Sequence, residues 1–211
     1  MSRPQTTRKK RANGVESRQR ILDATVEIAG ERGYEGTSIA AVSAKCGLPA
    51  SSIYWHFGSK SGVLGAVMER GAQRFFAAAS PGDLDQQPEP RERVRRLLEQ
   101  AVASMRQNPQ FLRLFIVLLL GAGGEHAQQD VVARVRAEAH RLLAMGLACA
   151  YKPWGDEDAA RIADRIAEVA MALFDGLFLA SEAGGTPPPD LLLDQVVTAL
   201  HALAEGVRAS G

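Results

Sequence analysis

Apolar residues recur every three or four positions through most of this chain, which is the spacing of one face of an α-helix. No stretch alternates between apolar and polar residues as a half-buried strand does. The first periodic segment predicts a helix of about four turns between Ser17 and Gly33. Its inner face would consist of Ile21, Leu22, Thr25, Ile28 and Ala29.

Three shorter helices are predicted next, separated by tight turns. Ser38 can cap a helix that ends at Gly47, and Pro49 prevents this helix from continuing because proline lacks an N–H. Another helix covers about 50–57, and the fourth runs from Ser59 to about residue 79. Short helices joined by such turns, with no strand among them, indicate a helix-turn-helix unit.

A segment dense in proline and acidic residues, 80–90, forms the clearest boundary in the chain. Beyond it the helical period returns at about 91–107, 109–120, 128–151, 157–183 and 190–208. The sequence therefore predicts an all-α fold of nine helices, in which an N-terminal three-helix helix-turn-helix domain precedes a larger helical domain.

The net charge of +1 conceals a difference between the two parts of the chain. Residues 1–70 contain eleven Lys and Arg against six Asp and Glu, whereas residues 71–211 contain fourteen against eighteen. A basic amino-terminal part on an acidic remainder suggests that the basic part binds a polyanion such as a nucleic acid. A solvated basic tail would give the same charge distribution.

The segment from Thr37 to Lys60 carries side chains suited to DNA. The helix over 50–57 offers small and hydroxyl side chains first and aromatic ones later, and the amino end of such a helix can enter the major groove. Hydroxyl, indole and imidazole groups can bond phosphate oxygens, and Lys60 lies where a helix amino terminus also favours a phosphate. The four consecutive rings from Tyr54 to Phe57 span more than one helical turn, so they cannot all face a core.

At these residues the chain resembles the TetR family of transcriptional regulators. The likeness covers about 17–65, and its most specific part is Ile-Tyr-Trp-His-Phe followed three residues later by lysine. The matching positions are Thr37, Val42, Cys46, Gly47, Leu48, Ser52, Ile53, Tyr54, His56, Phe57 and Lys60.

The resemblance also implies which residues of the helix-turn-helix part, here called the head, contact DNA. Residues that would contact backbone phosphates are Ser38, Ser52, Tyr54, His56 and Lys60. Residues that would reach the bases are Ala40, Ala50, Ser51 and Trp55. Residues 1–15 lack apolar periodicity and contain the basic run 8–11, so we expect a disordered basic arm there. We also expect a helix-turn-helix DNA-binding domain over 16–62 and a helical ligand-binding and dimerisation domain over 63–211.

The chain departs from the family pattern at several positions. Ser43 stands where alanine is usual, and Pro49 stands where a capping serine or a similar residue is usual. Ala40 and Ala50 offer no polar group, so base recognition is expected to depend on thymine methyls, Ser51 and DNA shape. The basic run 8–11 either reaches an adjacent minor groove or acts as a non-specific electrostatic tail.

The last two predicted helices indicate a dimer. The final one repeats apolar residues three and four apart, as coiled-coil seams do, and the preceding one is apolar on two faces. Pairing with a second copy would give a four-helix bundle across a twofold axis, as the resemblance also implies, whereas both faces could instead be filled within one chain. The expected interface residues are Ile166, Leu173, Leu177, Leu193, Val196, Leu200, Leu203 and Val207.

Methionine and phenylalanine residues of the larger domain suggest a ligand pocket, although such residues at helical spacing are more often plain core. The candidates are Met105, Phe111, Phe115, Met145, Met171, Phe174 and Phe178. The sequence contains no nucleophile–base pair, no paired carboxylates and no metal-ligand spacing of His or Cys. We therefore expect no catalytic residue, no metal and no cofactor.

These observations predict a DNA-binding transcriptional regulator rather than an enzyme. The simplest form is a repressor that binds a palindromic double-stranded operator as a homodimer and is released by a small hydrophobic or amphipathic effector. A ligand-independent DNA-binding protein and a ligand-dependent activator are the alternatives. The sequence has no apolar run long enough to span a bilayer, and its first twenty residues are polar and basic, so a cytoplasmic protein without a membrane partner is expected.

Overall fold

The computed structural model describes residues 5–78, 84, 87, 89–120, 126–183 and 189–210, without the side chains of 5–12, 34, 35, 78, 126–128 and 189–191. Over these residues the chain forms nine α-helices and no strand, which confirms the predicted all-α fold. The helices are α1 (Gln5–Gly36), α2 (Ile39–Cys46), α3 (Ala50–Phe57), α4 (Lys60–Ala78), α5 (Pro90–Gln107), α6 (Pro109–Leu120), α7 (His126–Tyr151), α8 (Asp156–Glu182) and α9 (Pro189–Ala209). A single 3₁₀ turn, Lys152–Trp154, joins α7 to α8.

The helices after α1 begin and end within two residues of their predicted positions. Helix α1 differs, because it begins at Gln5 and so includes most of the segment predicted to be a disordered arm. Between Gln5 and Asn13 the sequence has no proline or glycine, and its Arg, Lys and Ala residues favour a helix. The expected break at Gly33 is present, since this residue has φ 67° and ψ −170°.

Capping residues set the ends of the short helices. The Ser38 hydroxyl oxygen accepts a hydrogen bond from the Ala41 N–H at 3.1 Å and caps α2. Gly47 ends the same helix in the left-handed conformation, with φ 66°. The hydroxyl oxygen of Ser59 accepts a bond from the Gly62 N–H at 3.0 Å and starts α4.

The chain divides into two compact units. The first unit comprises Met1–Gln73 and Pro109–Val135, and its core is built mainly from α1, α2, α3 and α4. The boundary predicted between 62 and 63 lies at the start of α4, a helix whose Val63, Leu64, Val67 and Met68 are buried within this unit. The largest fully buried side chains of the first unit are Ile21, Leu22, Ile53, Leu64 and Met68.

Helices α4 and α6 approach closely in the first unit. A Cβ placed on Gly71 of α4 would overlap Cδ2 of Phe111 in α6 and would lie 3.2 Å from Cβ of the same residue. Only glycine permits this approach, because a methyl group there would overlap the aromatic side chain. Phe111 is therefore part of the packing between these two helices.

The second unit comprises Arg74–Asn108 and Arg136–Gly211, and in it α9 packs against both α5 and α8. Arg95 of α5 pairs with Asp194 of α9, and Arg91 donates to the Thr198 hydroxyl at 3.0 Å. Arg93 is buried, and it donates to the backbone oxygens of Gln87 at 2.6 Å and Cys149 at 3.3 Å. These bonds offset the cost of removing its charge from water.

None of the described helices combines the length and the apolar character needed to cross a bilayer.

Candidate nucleic-acid interface

Helices α2 and α3 form the helix-turn-helix, and α3 presents its outer face to solvent. The inner face of α3 is held by Ile53, which is completely buried. On the outer face Tyr54 is 53% exposed and Trp55 is 78% exposed. A helix that buries one side chain and exposes two large aromatic ones is suited to contact a partner outside its own chain.

All nine sequence-predicted DNA-contact residues keep accessible surface. They lie at the start of α2, along α3 and at the start of α4, and none of them is buried. Five of the nine are exposed, namely Ser38, Ala40, Ser51, Tyr54 and Trp55. The other four are half-buried, namely Ala50, Ser52, His56 and Lys60.

Ser38 can cap its helix and contact a phosphate at the same time. Its oxygen accepts the hydrogen bond from the Ala41 N–H, so it acts as an acceptor in the cap. A hydroxyl group also carries one proton that it can donate. This proton can be directed at a phosphate oxygen beside the exposed amino end of α2.

Trp55 and His56 form an aromatic pair on α3. Their ring centroids lie 4.5 Å apart at an interplanar angle of 76°, an edge-to-face arrangement. Trp55 remains 78% exposed beside His56, so most of its indole surface is accessible to a ligand. The pair can therefore offer both hydrogen-bond donors and an apolar face, the groups that bond phosphates and contact thymine methyls.

His56 lies in an environment that disfavours its charged form. Partial burial lowers its pKa below the ordinary 6.5, and the positive charge of Arg18 acts in the same direction. In the free protein the ring is therefore mainly neutral at pH 7. A nearby phosphate would act in the opposite direction, because a negative charge stabilises the protonated ring.

Arg18 belongs to this surface, and sequence reasoning missed it. Its guanidinium lies 5.3 Å from the centroid of the Phe57 ring, at the end of α3. The residue is on α1, so only the folded head brings it beside His56. In the sequence Arg18 is a polar residue three positions before Ile21, and nothing in its local pattern distinguishes it from a solvated surface residue.

The predicted ligand-contact residues are divided between the two compact units. Phe111 and Phe115 belong to the first unit, and the other five belong to the second. Met145 is 56% exposed, and Arg141 donates to its sulfur at 2.9 Å. The remaining candidates in the second unit are buried or half-buried, namely Met105, Met171, Phe174 and Phe178.

Most of the predicted interface residues are buried within the protomer. The described second unit buries Ile166, Leu177, Leu193, Val196 and Leu200, because α8 and α9 use these side chains in its core. Leu173 and Val207 are half-buried, and Leu203 is 43% exposed. The sequence analysis did not select Val169 and Leu179 of α8, although both are more than two-fifths exposed.

In the part of the chain that the structure describes, no group of three or more His, Cys, Asp or Glu side chains could hold a metal ion.

The helix-turn-helix region of this chain is similar in sequence to known DNA-binding regulators. The family model described as "Bacterial regulatory proteins, tetR family" matches residues 21–67, which include α2, α3 and the start of α4. The transcriptional regulator SrpR of Pseudomonas putida is 38% identical over 61 residues, which are 29% of this chain and only 29% of the length of SrpR.

Two other similarities extend over most of the chain. The transcriptional regulator BetI of Burkholderia ambifaria is 25% identical over 170 residues, 81% of this chain and 84% of BetI. The structure of a transcriptional regulator from Saccharomonospora viridis in complex with choline has a TM-score of 0.62 and 23% identity, and it covers 90% of this chain and 96% of that one. This last similarity concerns the fold. The relatives named here are transcriptional regulators, which agrees with the predicted DNA-binding regulator.

The environment of His56 gives a first testable prediction. Replacing Arg18 with Gln should raise the pKa of His56 part of the way toward 6.5, because one of its two lowering causes is removed while burial, the larger one, stays. Adding duplex DNA to the unaltered protein should also raise the pKa of His56. DNA binding would then be accompanied by protonation of His56, and the affinity for DNA should increase as the pH falls through the pKa that His56 has in the complex. NMR titration of the His56 ring measures both effects.

The backbone amide signals of the second unit are the control, which the Arg18 substitution should leave unchanged. A His56 titration midpoint at or above 6.5 in the free protein, or one that neither change moves, would contradict this account of the site.

Proposed function

Because the chain belongs to the TetR family of bacterial transcriptional regulators, we propose that it represses transcription by binding a palindromic operator as a homodimer. The observation that carries this proposal is the exposed outer face of α3, with Tyr54 and Trp55 beside a basic and polar rim. A protein that acts on DNA works where the chromosome lies, so we place it in the cytoplasm.

Phosphate contacts would fix the head on the duplex. The proposed phosphate contacts lie at the start of α2, along α3 and at the start of α4. They are Ser38 before α2, Ser52, Tyr54 and His56 on α3, and Lys60 at the start of α4. Their hydroxyl, imidazole and ammonium groups can donate to phosphate oxygens on both sides of a groove. These contacts determine affinity and orientation, and they carry no base sequence by themselves.

Base recognition would come from Ala40 at the start of α2, from the first turn of α3 and from Trp55. Ala40 and Ala50 are small and accessible, so they can lie against thymine methyl groups. Ser51 is exposed and can bond a base edge as donor or acceptor. With so few polar groups toward the bases, part of the selectivity would come from the shape and deformability of the operator.

A palindromic operator requires two heads related by a twofold axis. The surface that we propose for the dimer, here called the outer stripe, is the accessible apolar side of α8 and α9, on which Leu173 and Val207 are half-buried and the other members exposed. Small exposed residues between its larger side chains would let two helices approach closely, and a Cβ on Gly176 or Gly206 would meet nothing within 4 Å. The outer stripe consists of Val169, Ala172, Leu173, Gly176 and Leu179 on α8 and Ala199, Leu203, Gly206 and Val207 on α9.

The effector would bind among the apolar side chains of the second unit. Met105, Met171 and Phe178 are buried there, and methionine side chains adapt to ligands of different shape. The side-chain oxygen of Gln100 is also buried and has no hydrogen-bond partner among the described residues. A ligand with an apolar body and one donor group would satisfy this oxygen, which supports a small hydrophobic or amphipathic effector.

Release from DNA requires that the effector distinguish two states of the dimer. A ligand that binds equally well to the DNA-bound and the free arrangement changes nothing, however tightly it binds. We therefore propose that the effector prefers an arrangement of the two heads that does not fit the operator. A ligand-dependent activator would show the opposite preference, and a ligand-independent protein would show none.

Two substitutions test the phosphate contacts. Tyr54→Phe removes one hydroxyl and Lys60→Ala removes one charge, and each should weaken binding to all duplexes alike. Lys60→Ala should also reduce the slope of log K against log salt by about one, because one fewer counterion is released. Titrations of labelled duplexes at several salt concentrations measure this, with Ser181→Ala in α8 as the control. A change in sequence preference alone would contradict the phosphate assignment.

A charge on the outer stripe tests the dimer. Leu203→Glu and Val169→Glu should each raise the dimer dissociation constant by at least about tenfold, because pairing would bury a carboxylate without a partner. Sedimentation equilibrium measures the effect. Val15→Glu in α1 is a matched control, since Val15 is 70% exposed and lies outside the outer stripe. A variant that dimerises like the unaltered protein would exclude the outer stripe as the interface.

Thermal unfolding against a panel of hydrophobic and amphipathic compounds, with choline among them, tests the effector. A compound that binds the folded protein at about one hundred times its Kd should stabilise it by about 2.7 kcal/mol, and the same compound should weaken operator binding. Gln100→Leu should reduce the response to compounds that carry a donor group. Stabilisation with stronger operator binding would favour an activator, and no stabilisation by any compound would favour a ligand-independent protein.

A further inference from the structure

The turn between α2 and α3 has few backbone partners of its own. Cys46 is the last residue of α2, and the carbonyl groups at a helix end have no partner within the helix. Pro49 has no N–H to donate, and no side chain caps α3. The backbone bonds here run from the Gly47 N–H to the Ser43 oxygen at 3.0 Å and from the Ser52 N–H to the Pro49 oxygen at 2.9 Å.

Two side chains supply the hydrogen bonds that the backbone lacks. The Arg20 guanidinium, on α1, donates through Nη2 to the Cys46 carbonyl oxygen at 2.6 Å. The Ser43 hydroxyl, on α2, donates to the Leu48 carbonyl oxygen at 2.6 Å. One bond therefore ties the end of α2 to α1, and the other ties the residue before Pro49 back to α2.

We propose that Ser43 and Arg20 are positioning residues that set the orientation of α3 toward the operator. The proposal rests on the proposed function, in which the outer face of α3 contacts DNA. Neither residue needs to contact DNA itself. Each acts on the turn through a carbonyl group, and the turn carries the whole of α3.

The length of α3 explains why small changes in the turn matter. A helix rises about 1.5 Å per residue, so Trp55 lies about 10 Å from the turn. A rotation of about 10° there would move Trp55 by about 2 Å, which is enough to break a hydrogen bond of about 2.9 Å. Ile53 is the only residue of α3 that is buried, so core packing alone constrains this rotation weakly.

Ser43 also compensates for Pro49. A serine, threonine or asparagine before α3 could accept a hydrogen bond from the Ser52 N–H and hold the start of the helix. Proline fixes its own φ, at −63° here, yet it offers no such side-chain acceptor. The Ser43 hydroxyl holds the preceding carbonyl instead, so the turn is fixed from the α2 side.

Ser43→Ala tests the first of the two residues. It should weaken binding to a selected operator by about three- to tenfold, the range expected for losing one neutral hydrogen bond that pre-arranges α3. The slope of log K against log salt concentration, here called the salt slope, should stay unchanged because no phosphate contact is lost. Amide hydrogen exchange at Gly47 and Ser52 should become faster, since the turn opens more readily.

Two further variants separate positioning from mere stabilisation. Ser43→Thr keeps the hydroxyl and should restore both affinity and exchange protection. Ser181→Ala removes a similar bond, from the hydroxyl to the Phe178 carbonyl oxygen at 2.7 Å, and should lower Tm by as much as Ser43→Ala without changing operator affinity. An affinity for Ser43→Ala that equals that of the unaltered protein, or a Thr variant that behaves like the Ala variant, would overturn the role of Ser43.

Arg20→Ala tests the second residue and distinguishes a bond to the turn from a bond to DNA. A positioning role predicts weaker binding at an unchanged salt slope, together with faster exchange at Gly47. A slope that falls by about one would instead identify Arg20 as a phosphate contact and overturn its positioning role. If the unaltered protein selects no duplex, the proposed function fails before any variant is compared, whereas failure confined to the variants concerns the positioning residues alone.

Discussion

The rest of the head must hold α3, a helix of only eight residues, in place while the outer face of this helix stays in solvent. Within α3 only Ile53 is buried, while Tyr54 and Trp55 stay exposed. A helix this short is not stable alone, because its nucleation costs more than its few internal hydrogen bonds return. Its conformation therefore depends on the glycine and proline of the preceding turn, on the bonds from Ser43 and Arg20, and on the Arg18 contact with Phe57.

This constraint connects the sequence to the proposed function. Side chains that bind a groove must be exposed before the partner arrives, so they cannot contribute to the core that positions them. The remaining parts of the first unit supply that core, with Ile21, Leu22 and Leu64 completely or almost completely buried. In the second unit α8 and α9 pack against each other and still leave the outer stripe exposed. The same division between a packed face and an exposed one recurs in both units.

The sequence was sufficient to predict the helices after α1, and none of the DNA-contact residues proposed from it is buried. Helical period and capping residues are local signals, and Ser38, Gly47 and Ser59 determine helix ends through contacts within a few residues. The start of α1 was missed because the absence of apolar periodicity and the basic run over 8–11 were interpreted as disorder, although Arg and Lys are also good helix formers.

Contacts between distant segments could not be predicted in this way. Arg18 approaches His56, and Phe111 approaches Gly71, only once the chain has folded. The helical period of apolar residues also identifies the apolar faces of a helix, but it does not show which of these faces packs inside the protomer. Leu200 and Ile166 were expected at a dimer interface, yet they lie in the core of the second unit, while Val169 and Leu179 of α8 face solvent.

The most direct test of the central claim is selection of bound DNA from a random duplex pool at physiological salt by the full chain. The account predicts enrichment of an inverted repeat whose half-sites lie about one helical turn, or a simple multiple of it, apart. Such a repeat would require both the exposed face of α3 and a twofold dimer. Salt-sensitive binding without any enriched sequence would contradict the account, because a basic surface alone binds all duplexes alike.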